Sequence, residues 1–180
     1  MATSRRKSIP ARTLARAVSV EPAPRPIEGL DRTDQRILRV LQQDGRITNL
    51  QLAQQVHLSP TAVLERVRRL TRDGYILGYT ARLDPARLGA GLLVFIEVLL
   101  DRTAPDVMES FRAAVQVRPE ILECHLVAGG FDYLIKARVA DMTAYRRFLG
   151  ETLLALPGVR ETRTYAVMEE VKRDAPLPVG

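Results

Sequence analysis

The chain predicts an α+β protein of two domains: an N-terminal winged helix-turn-helix and a C-terminal ferredoxin-like β-α-β-β-α-β unit. Three observations carry that reading. Two helix starts stand almost back to back between Thr48 and Pro60. The hydrophobic period changes from helical to strand-like near Leu92. The charge is lopsided: residues 1–29 and 30–83 each carry a net +4, whereas residues 84–180 carry −2. The expected boundaries are a disordered basic tail over 1–29, the helix-turn-helix over 30–80, a linker over 81–90, the ferredoxin-like domain over 91–173 and a tail over 174–180. A chain of 180 residues with 46% hydrophobic content can form cores for two small domains.

In the tail, Arg5, Arg6, Lys7, Arg12, Arg16 and Arg25 are scattered among Ser, Ala and Pro. So little apolar surface cannot offset the entropy of ordering. The segment reads either as a basic arm adding non-specific affinity for a polyanion or as an inert tail.

The first helix is expected over 31–44. Asp31 is its N-cap, Ile37, Leu38 and Leu41 its inward stripe, and Asp44-Gly45 its close, with glycine at C′. Thr48 with Gln51 three residues on reads as a capping box. The second helix follows from Asn49 to about Val56, packing through Leu50, Leu52, Ala53 and Val56. Ser59-Pro60 reads as an N-cap with proline at the first helical position. Only Val56-His57-Leu58 separates the two helices, and so short a joint forces a steep crossing.

Turned at about 100° per residue, the third helix places Val63, Leu64, Val67 and Leu70 inward. Thr61, Glu65, Arg68, Arg69 and Arg72 face outward, with Ala62 beside them. A helix in a DNA major groove needs such a face: arginine forks for guanine or phosphate, a carboxylate for cytosine, small residues near the wall. A solvated basic face on an ordinary helical hairpin would look the same. The candidate DNA-contacting set is Asn49, Ser59, Thr61, Ala62, Glu65, Arg66, Arg68, Arg69 and Arg72. Gly74 ends the helix, and residues 75–80 have the composition of a short hairpin or wing.

In the second half, Leu92–Leu100 is a strand apolar on both faces. Pro105–Val117 is a helix with Val107, Met108, Phe111 and Val115 inward. Ile121–Val127 and Phe131–Val139 are strands joined by Ala128-Gly129-Gly130, a hairpin signal. Asp141 caps a helix reaching about Leu156, Pro157-Gly158 breaks it, and Val159–Met168 is the last strand. Two helices cover one face of a four-stranded sheet. A first strand apolar on both sides therefore calls for a partner on the other face, and a second copy is the simplest supplier.

Several function classes are disfavoured. No run is long enough to span a membrane and no signal-peptide pattern is present. The single cysteine, Cys124, excludes an internal disulfide and fits a reducing cytosol. Cys124 and His125 are adjacent on a strand, so they point to opposite faces and cannot form a nucleophile–base dyad. No metal spacing, phosphate loop or paired-carboxylate motif appears, so neither an enzyme nor a cofactor is expected.

Several stretches resemble a known family. Leu30-Asp-Arg-Thr-Asp-Gln-Arg-Ile-Leu, Asp44-Gly-Arg-Ile-Thr, Leu58-Ser-Pro-Thr, Glu65-Arg-Val-Arg-Arg-Leu, Gly74-Tyr-Ile and Gly78-Tyr-Thr are similar to the DNA-binding half of the Lrp/AsnC (feast/famine) transcription regulators. Glu123-Cys-His-Leu-Val, Phe131-Asp-Tyr-Leu and Pro157-Gly-Val-Arg-Glu-Thr-Arg-Thr-Tyr are similar to its amino-acid-sensing half. Ala144-Tyr-Arg, Leu149-Gly-Glu-Thr-Leu-Leu and Val167-Met-Glu-Glu-Val-Lys resemble its leucine-responsive members. The resemblance spans about residues 30–173 without a gap.

It implies a cytoplasmic, nucleoid-associated regulator of double-stranded DNA that dimerises through the sensing domain and assembles further, commonly to octamers. A small amino acid, leucine first, is the implied effector, bound where dimers meet. Carried over position by position, the effector site is Leu126, Gly129, Gly130, Asp132, Met142, Tyr165, Ala166 and Val167. The chemistry of these residues agrees: turn N–H groups for a carboxylate, Asp132 for an ammonium, and Leu126, Met142 and Val167 for an apolar side chain. Each also has a local reading, as turn geometry, turn cap or core. A relative tuned to another amino acid, or a DNA-compacting protein without effector, remains the alternative.

The chain departs from the family at His57, where glycine is usual, from its leucine-responsive members at Ala62 and Val63, and at Ala166, where valine is expected. The tail before residue 30 matches nothing in the family.

Overall fold

The computed structural model describes residues 29–179, so the disordered arm expected over 1–29 lies, but for Gly29, outside the described residues. The described chain forms two compact units. One comprises residues 29–78 together with 176–179, the other residues 79–175.

The first unit holds three helices: α1 (Arg32–Gln43), α2 (Asn49–Val56) and α3 (Pro60–Arg72). Each begins on a side-chain cap. Asp31 and Asp34 form a capping box for α1. In α2, the Thr48 hydroxyl accepts from Gln51 N at 3.2 Å and the Gln51 amide oxygen accepts from Thr48 N at 3.1 Å. In α3, Ser59 Oγ accepts from Ala62 N at 3.2 Å, with Pro60 at the first helical position. Ile37, Leu38, Leu52, Ala53, Val56, Val63 and Leu70 are the buried core. The joint between α2 and α3 turns at His57, which adopts the left-handed conformation (φ 58°) in which the family's glycine would be unstrained. Gly74 (φ 80°) ends α3.

Three local expectations fail here. Leu50 is 59% exposed rather than packed, because it faces outward from a short α2 whose inward stripe is Leu52, Ala53 and Val56. Asp44, not a left-handed Gly45, caps α1, in an extended conformation. Residues 75–80 form no strand; after Gly74, Tyr75 N and Ile76 N both donate to Leu70 O, at 2.9 and 3.1 Å.

The second unit is β1 (Leu92–Leu100), α4 (Pro105–Gln116), β2 (Ile121–Leu126), β3 (Tyr133–Val139), α5 (Met142–Phe148) and β4 (Val159–Ala166). The sheet order is β2-β3-β1-β4 and every pairing is antiparallel, as the ferredoxin-like expectation requires. Val94, Ile96, Val98 and Leu100 of β1 face the helices and pack with Phe111, Tyr133, Ile135, Tyr145, Phe148 and Leu153. The helix capped by Asp141 does not stay regular to Leu156: it loosens into a π-helical turn at Leu149–Leu153. β4 ends at Ala166, two residues before Met168. Gly158 (φ 73°) lets the chain pass under α4, where a Cβ would overlap Val107 Cγ1.

Among the described residues, no helix covers the other sheet face. It carries Leu93, Phe95, Glu97 and Leu99 from β1 with their cross-strand neighbours Lys136, Leu134, Arg163 and Tyr165. Phe95 and Leu99 are only half-buried there.

Candidate nucleic-acid interface and ligand site

The recognition helix α3 is held by charge. Asp34, fully buried, accepts from Arg66 Nη1 at 2.8 Å through Oδ1 and from Arg69 Nη2 at 2.5 Å through Oδ2. Arg66 Nη1 also reaches Asp31 Oδ2 at 2.6 Å. The Asp34 N–H and the Arg66 guanidinium hold the Asp31 carboxyl below its ordinary 3.8, and Asp31 and Asp34 raise the Arg66 guanidinium in turn. A buried carboxylate requires such partners, because desolvating an unpaired charge costs several kcal/mol.

Arg66 and Arg69, both in the expected DNA-contacting set, are thus ion-paired in the free chain. Both guanidiniums turn back onto α1 and tie α3 to it. Asp34 itself was missed. A signal for it existed: positions 34, 37, 38 and 41 share one face, so Asp34 falls on the stripe that Ile37 and Leu38 bury and needs a cation from another helix.

The outward face keeps Thr61 and Glu65, both exposed, with Ala62 half-buried beside them. Arg68 Nη1 meets Glu65 Oε1 at 3.2 Å with both side chains about two-thirds exposed, and Arg72 Nε meets Asp73 Oδ1 at 3.1 Å. Exposed pairs of this kind contribute at most about 1 kcal/mol and exchange readily for phosphate or a base edge. Asn49 is exposed at the start of α2, and Ser59 is committed to its cap. Arg68 and Arg72 are thus the most exposed arginines of α3, with Thr61, Ala62 and Glu65 on the same outward side.

In the sheet unit, the expected ligand residues divide into two groups. Leu126 pairs with Tyr133, which lies opposite Val98, and the Gly129-Gly130 hairpin and Asp132 continue from that end. Ala166 lies opposite Val94, and Val167 N donates to Leu93 O at 3.0 Å. Met142 follows the end of β3 nearest Leu92. The Val98 and Val94 levels are about 13 Å apart along the strands, and β2 and β4 are the two edges of the sheet. One chain therefore presents two corners, not one pocket.

Within these corners, Asp132 Oδ2 accepts from Leu100 N at 2.8 Å, so one carboxylate oxygen serves the strand end. Tyr165 Oη donates to Glu97 Oε1 at 3.0 Å, which raises the phenol above its ordinary range. Leu126, Met142 and Tyr165 are 54%, 53% and 52% exposed, too open for core residues of a finished domain. A recess of about 70 Å³ on the open face is lined by Glu97, Leu99, Phe131, Glu161 and Arg163 and includes only Gly130 of the expected set.

Cys124 points into the core, and burial pushes its thiol up to about 11, far from a reactive thiolate. His125 lies on the opposite face with Nε2 3.2 Å from Glu123 Oε2. Lys136, with His125 a smaller influence, holds the Glu123 carboxyl below its usual range. Among the described residues, no cluster of three or more His, Cys, Asp or Glu is placed to hold a metal ion.

Residues 30–76 match the family model described as winged helix-turn-helix DNA-binding, and residues 93–177 match that of the Lrp/AsnC ligand binding domain. The chain is 61% identical over 160 residues to the leucine-responsive regulatory proteins of Salmonella typhimurium and Escherichia coli K12, covering 89% of this chain and 98% of each relative. Among solved structures, a transcriptional regulator from Neisseria meningitidis in complex with L-Met is 41% identical with a TM-score of 0.79, covering 83% of this chain and 96% of that one. An AsnC family transcriptional regulator from Agrobacterium tumefaciens is 30% identical with a TM-score of 0.79, covering 83% and 97%.

Proposed function

The chain belongs to the Lrp/AsnC family, and from that premise we propose that it is a transcription regulator whose helix-turn-helix reads DNA and whose sheet domain senses an amino acid, leucine first. The observation that carries the DNA reading is the geometry of α3. Its inward arginines are bound to Asp34, so its outward Thr61, Ala62, Glu65, Arg68 and Arg72 are presented at a fixed angle. Arg68 reads base edges or phosphate, Glu65 restrains Arg68 in the free protein, and Asn49 contacts the backbone.

The sensing site is formed between copies. Exposed Leu126 and half-buried Asp132 with the glycine hairpin supply one corner from one chain. Exposed Met142 and Tyr165, with Ala166 and Val167, supply the other corner from another. The carboxylate of the amino acid meets hairpin N–H groups, its ammonium meets Asp132, and its side chain lies on Leu126 and Met142. The half-apolar open face pairs two copies into a dimer, and dimers assemble further, to octamers as in the family at large. The cell cytoplasm, on the nucleoid, is the compartment this role requires. No helix among the described residues is long and apolar enough to cross a membrane. No catalytic role is assigned.

Methionine is the second effector to test. The Neisseria meningitidis relative was solved with L-Met, and Ala166 leaves more room than the family's valine for an unbranched side chain. The test is anisotropy of one promoter fragment against random DNA, titrated with salt and then with leucine or methionine. Preference for the promoter and a shift with one amino acid are expected. Equal affinity for both DNAs with no amino-acid effect would favour a DNA-compacting protein.

A further inference from the structure

We infer that Pro176–Val179 is a clasp on the DNA-binding unit and that the amino-acid response reaches DNA through it, an inference that rests on the effector reading above. The clasp is read from Gln42, near the end of α1. Its Nε2 donates to Leu177 O at 3.1 Å, and its Oε1 accepts from Leu177 N at 2.7 Å. One side-chain amide thus satisfies both backbone groups of a residue 135 positions away, as a neighbouring strand would. Val179 packs against the core of α1, α2 and α3. The Leu177 side chain is 76% exposed, so the backbone is what Gln42 recognises.

The sequence suits this role. Pro176 and Pro178 flank Leu177. Neither has an N–H, so Leu177 offers the only backbone donor over these three positions. Prolines also hold the segment extended, which lowers the entropy lost on docking.

What precedes the clasp makes it a coupling element. The candidate ligand residues Tyr165, Ala166 and Val167 run directly into a strap over 168–174. Glu170 Oε1 meets Arg138 Nη2 at 2.6 Å, and the Arg138 side chain is only 8% exposed. Arg173 lies 3.7 Å from Glu170 and 3.2 Å from Asp174, and Arg82 meets Asp174 at 3.2 Å. Asp174 is left-handed (φ 51°), a conformation costly for a residue other than glycine. Three residues later comes Leu177. Any change at Val167 therefore acts on an ion-paired strap that ends, after one strained residue, in a two-hydrogen-bond clasp. Such a clasp has two states, engaged and released, which an effector can bias.

The experiment uses the full chain, the exposed-site variant Gln42→Leu and a deletion of residues 176–180. Amide exchange at Leu177, leucine and methionine binding by calorimetry, sedimentation, and DNA affinity with and without amino acid are measured. We expect Leu177 N–H exchange to be slowed at least about ten-fold in the full chain relative to Gln42→Leu. Both variants should bind the amino acid within about two-fold of the full chain and sediment alike, while the amino-acid-induced change in DNA affinity falls below about half its logarithmic size. An unprotected Leu177 amide, or an undiminished response in both variants, overturns the clasp. Loss of binding or of assembly together with the response overturns it as well, by placing the effect in the sensing unit. A full chain that responds to neither amino acid fails in its own arm, which identifies the effector reading as the error.

Discussion

In the DNA-binding unit, the buried carboxylate of Asp34 meets Arg66 and Arg69 of the same chain, and each helix start is capped by its own neighbours. In the sensing unit, Phe95 and Leu99 lie half-buried on a face without helices, and the candidate ligand residues sit at two corners about 13 Å apart along the strands. The first unit has its polar groups satisfied within one copy; the second has apolar and ligand-facing groups that one copy leaves open. On the proposed reading, DNA contact belongs to a single fold, whereas sensing belongs to an assembly. That division suits a regulator, because an effector bound between copies can change assembly without touching the recognition helix.

The sharpest way to break this comparison is Asp34→Ala. It removes a capping partner and two charge-assisted hydrogen bonds, and should destabilise the DNA-binding unit by about 2–4 kcal/mol. Urea unfolding followed separately in each unit checks it. Equal destabilisation of both units would show that they do not fold independently.

Next in size is Asp132→Asn. The amide oxygen can still accept from Leu100 N, so the strand end survives while the charge is lost. Amino-acid binding by calorimetry should weaken by about 1.5–3 kcal/mol, and DNA affinity without effector should stay the same. An unchanged amino-acid affinity would leave Asp132 as a strand cap and nothing more.

Arg68→Ala and Arg69→Ala sharpen the comparison inside one helix. Arg68→Ala should cost about 1–3 kcal/mol of specific DNA affinity if it reads a base, or weaken all sequences evenly and reduce the salt slope by about one if it meets phosphate. Arg69→Ala should act on thermal stability instead, with the salt slope kept. The reverse pattern would return Arg69 to the interface.

These residues also mark how far the sequence could be read. Thr48 with Gln51, Ser59 with Pro60, and Asp141 are capping signals spelled out within three residues, and all three form as read. The left-handed turn at His57 and the β2–β3 hairpin are local too. The Arg69–Asp34 pair was not legible because a helical wheel gives the direction of Cα–Cβ, while a long guanidinium can reach back to a partner 35 residues away. Gln42 and Leu177 were invisible for the same reason at greater distance. The π-helical turn at Leu149–Leu153 left no mark in a pattern that counts only apolar spacing. For the ligand site, family likeness supplied the residues, and the strand register that parts them into two corners was not legible from spacing alone.

The smallest effect concerns pH. Asp31 titrates below its ordinary 3.8 in the folded protein, chiefly through the Asp34 N–H and then Arg66. A depressed carboxyl contributes stability that is fully present above the unfolded value and lost as pH falls through the folded one. The DNA-binding unit should therefore lose part of its stability below about pH 4, and Asp31→Asn should flatten that loss in acid unfolding curves. An unchanged slope in the variant would mean that the Asp31–Arg66 contact contributes nothing in solution.

The claim that sensing needs more than one copy is tested most directly by complementation. Asp132→Asn disables one corner and Met142→Asp the other; Asp is well tolerated in the first turn of a helix, so α5 should remain intact. Each variant alone should bind the amino acid poorly. After the two are mixed and allowed to exchange subunits, about one site in four would unite two intact corners, and calorimetry should recover that fraction at full affinity. No recovery after verified exchange would place the whole site within one chain and contradict the account.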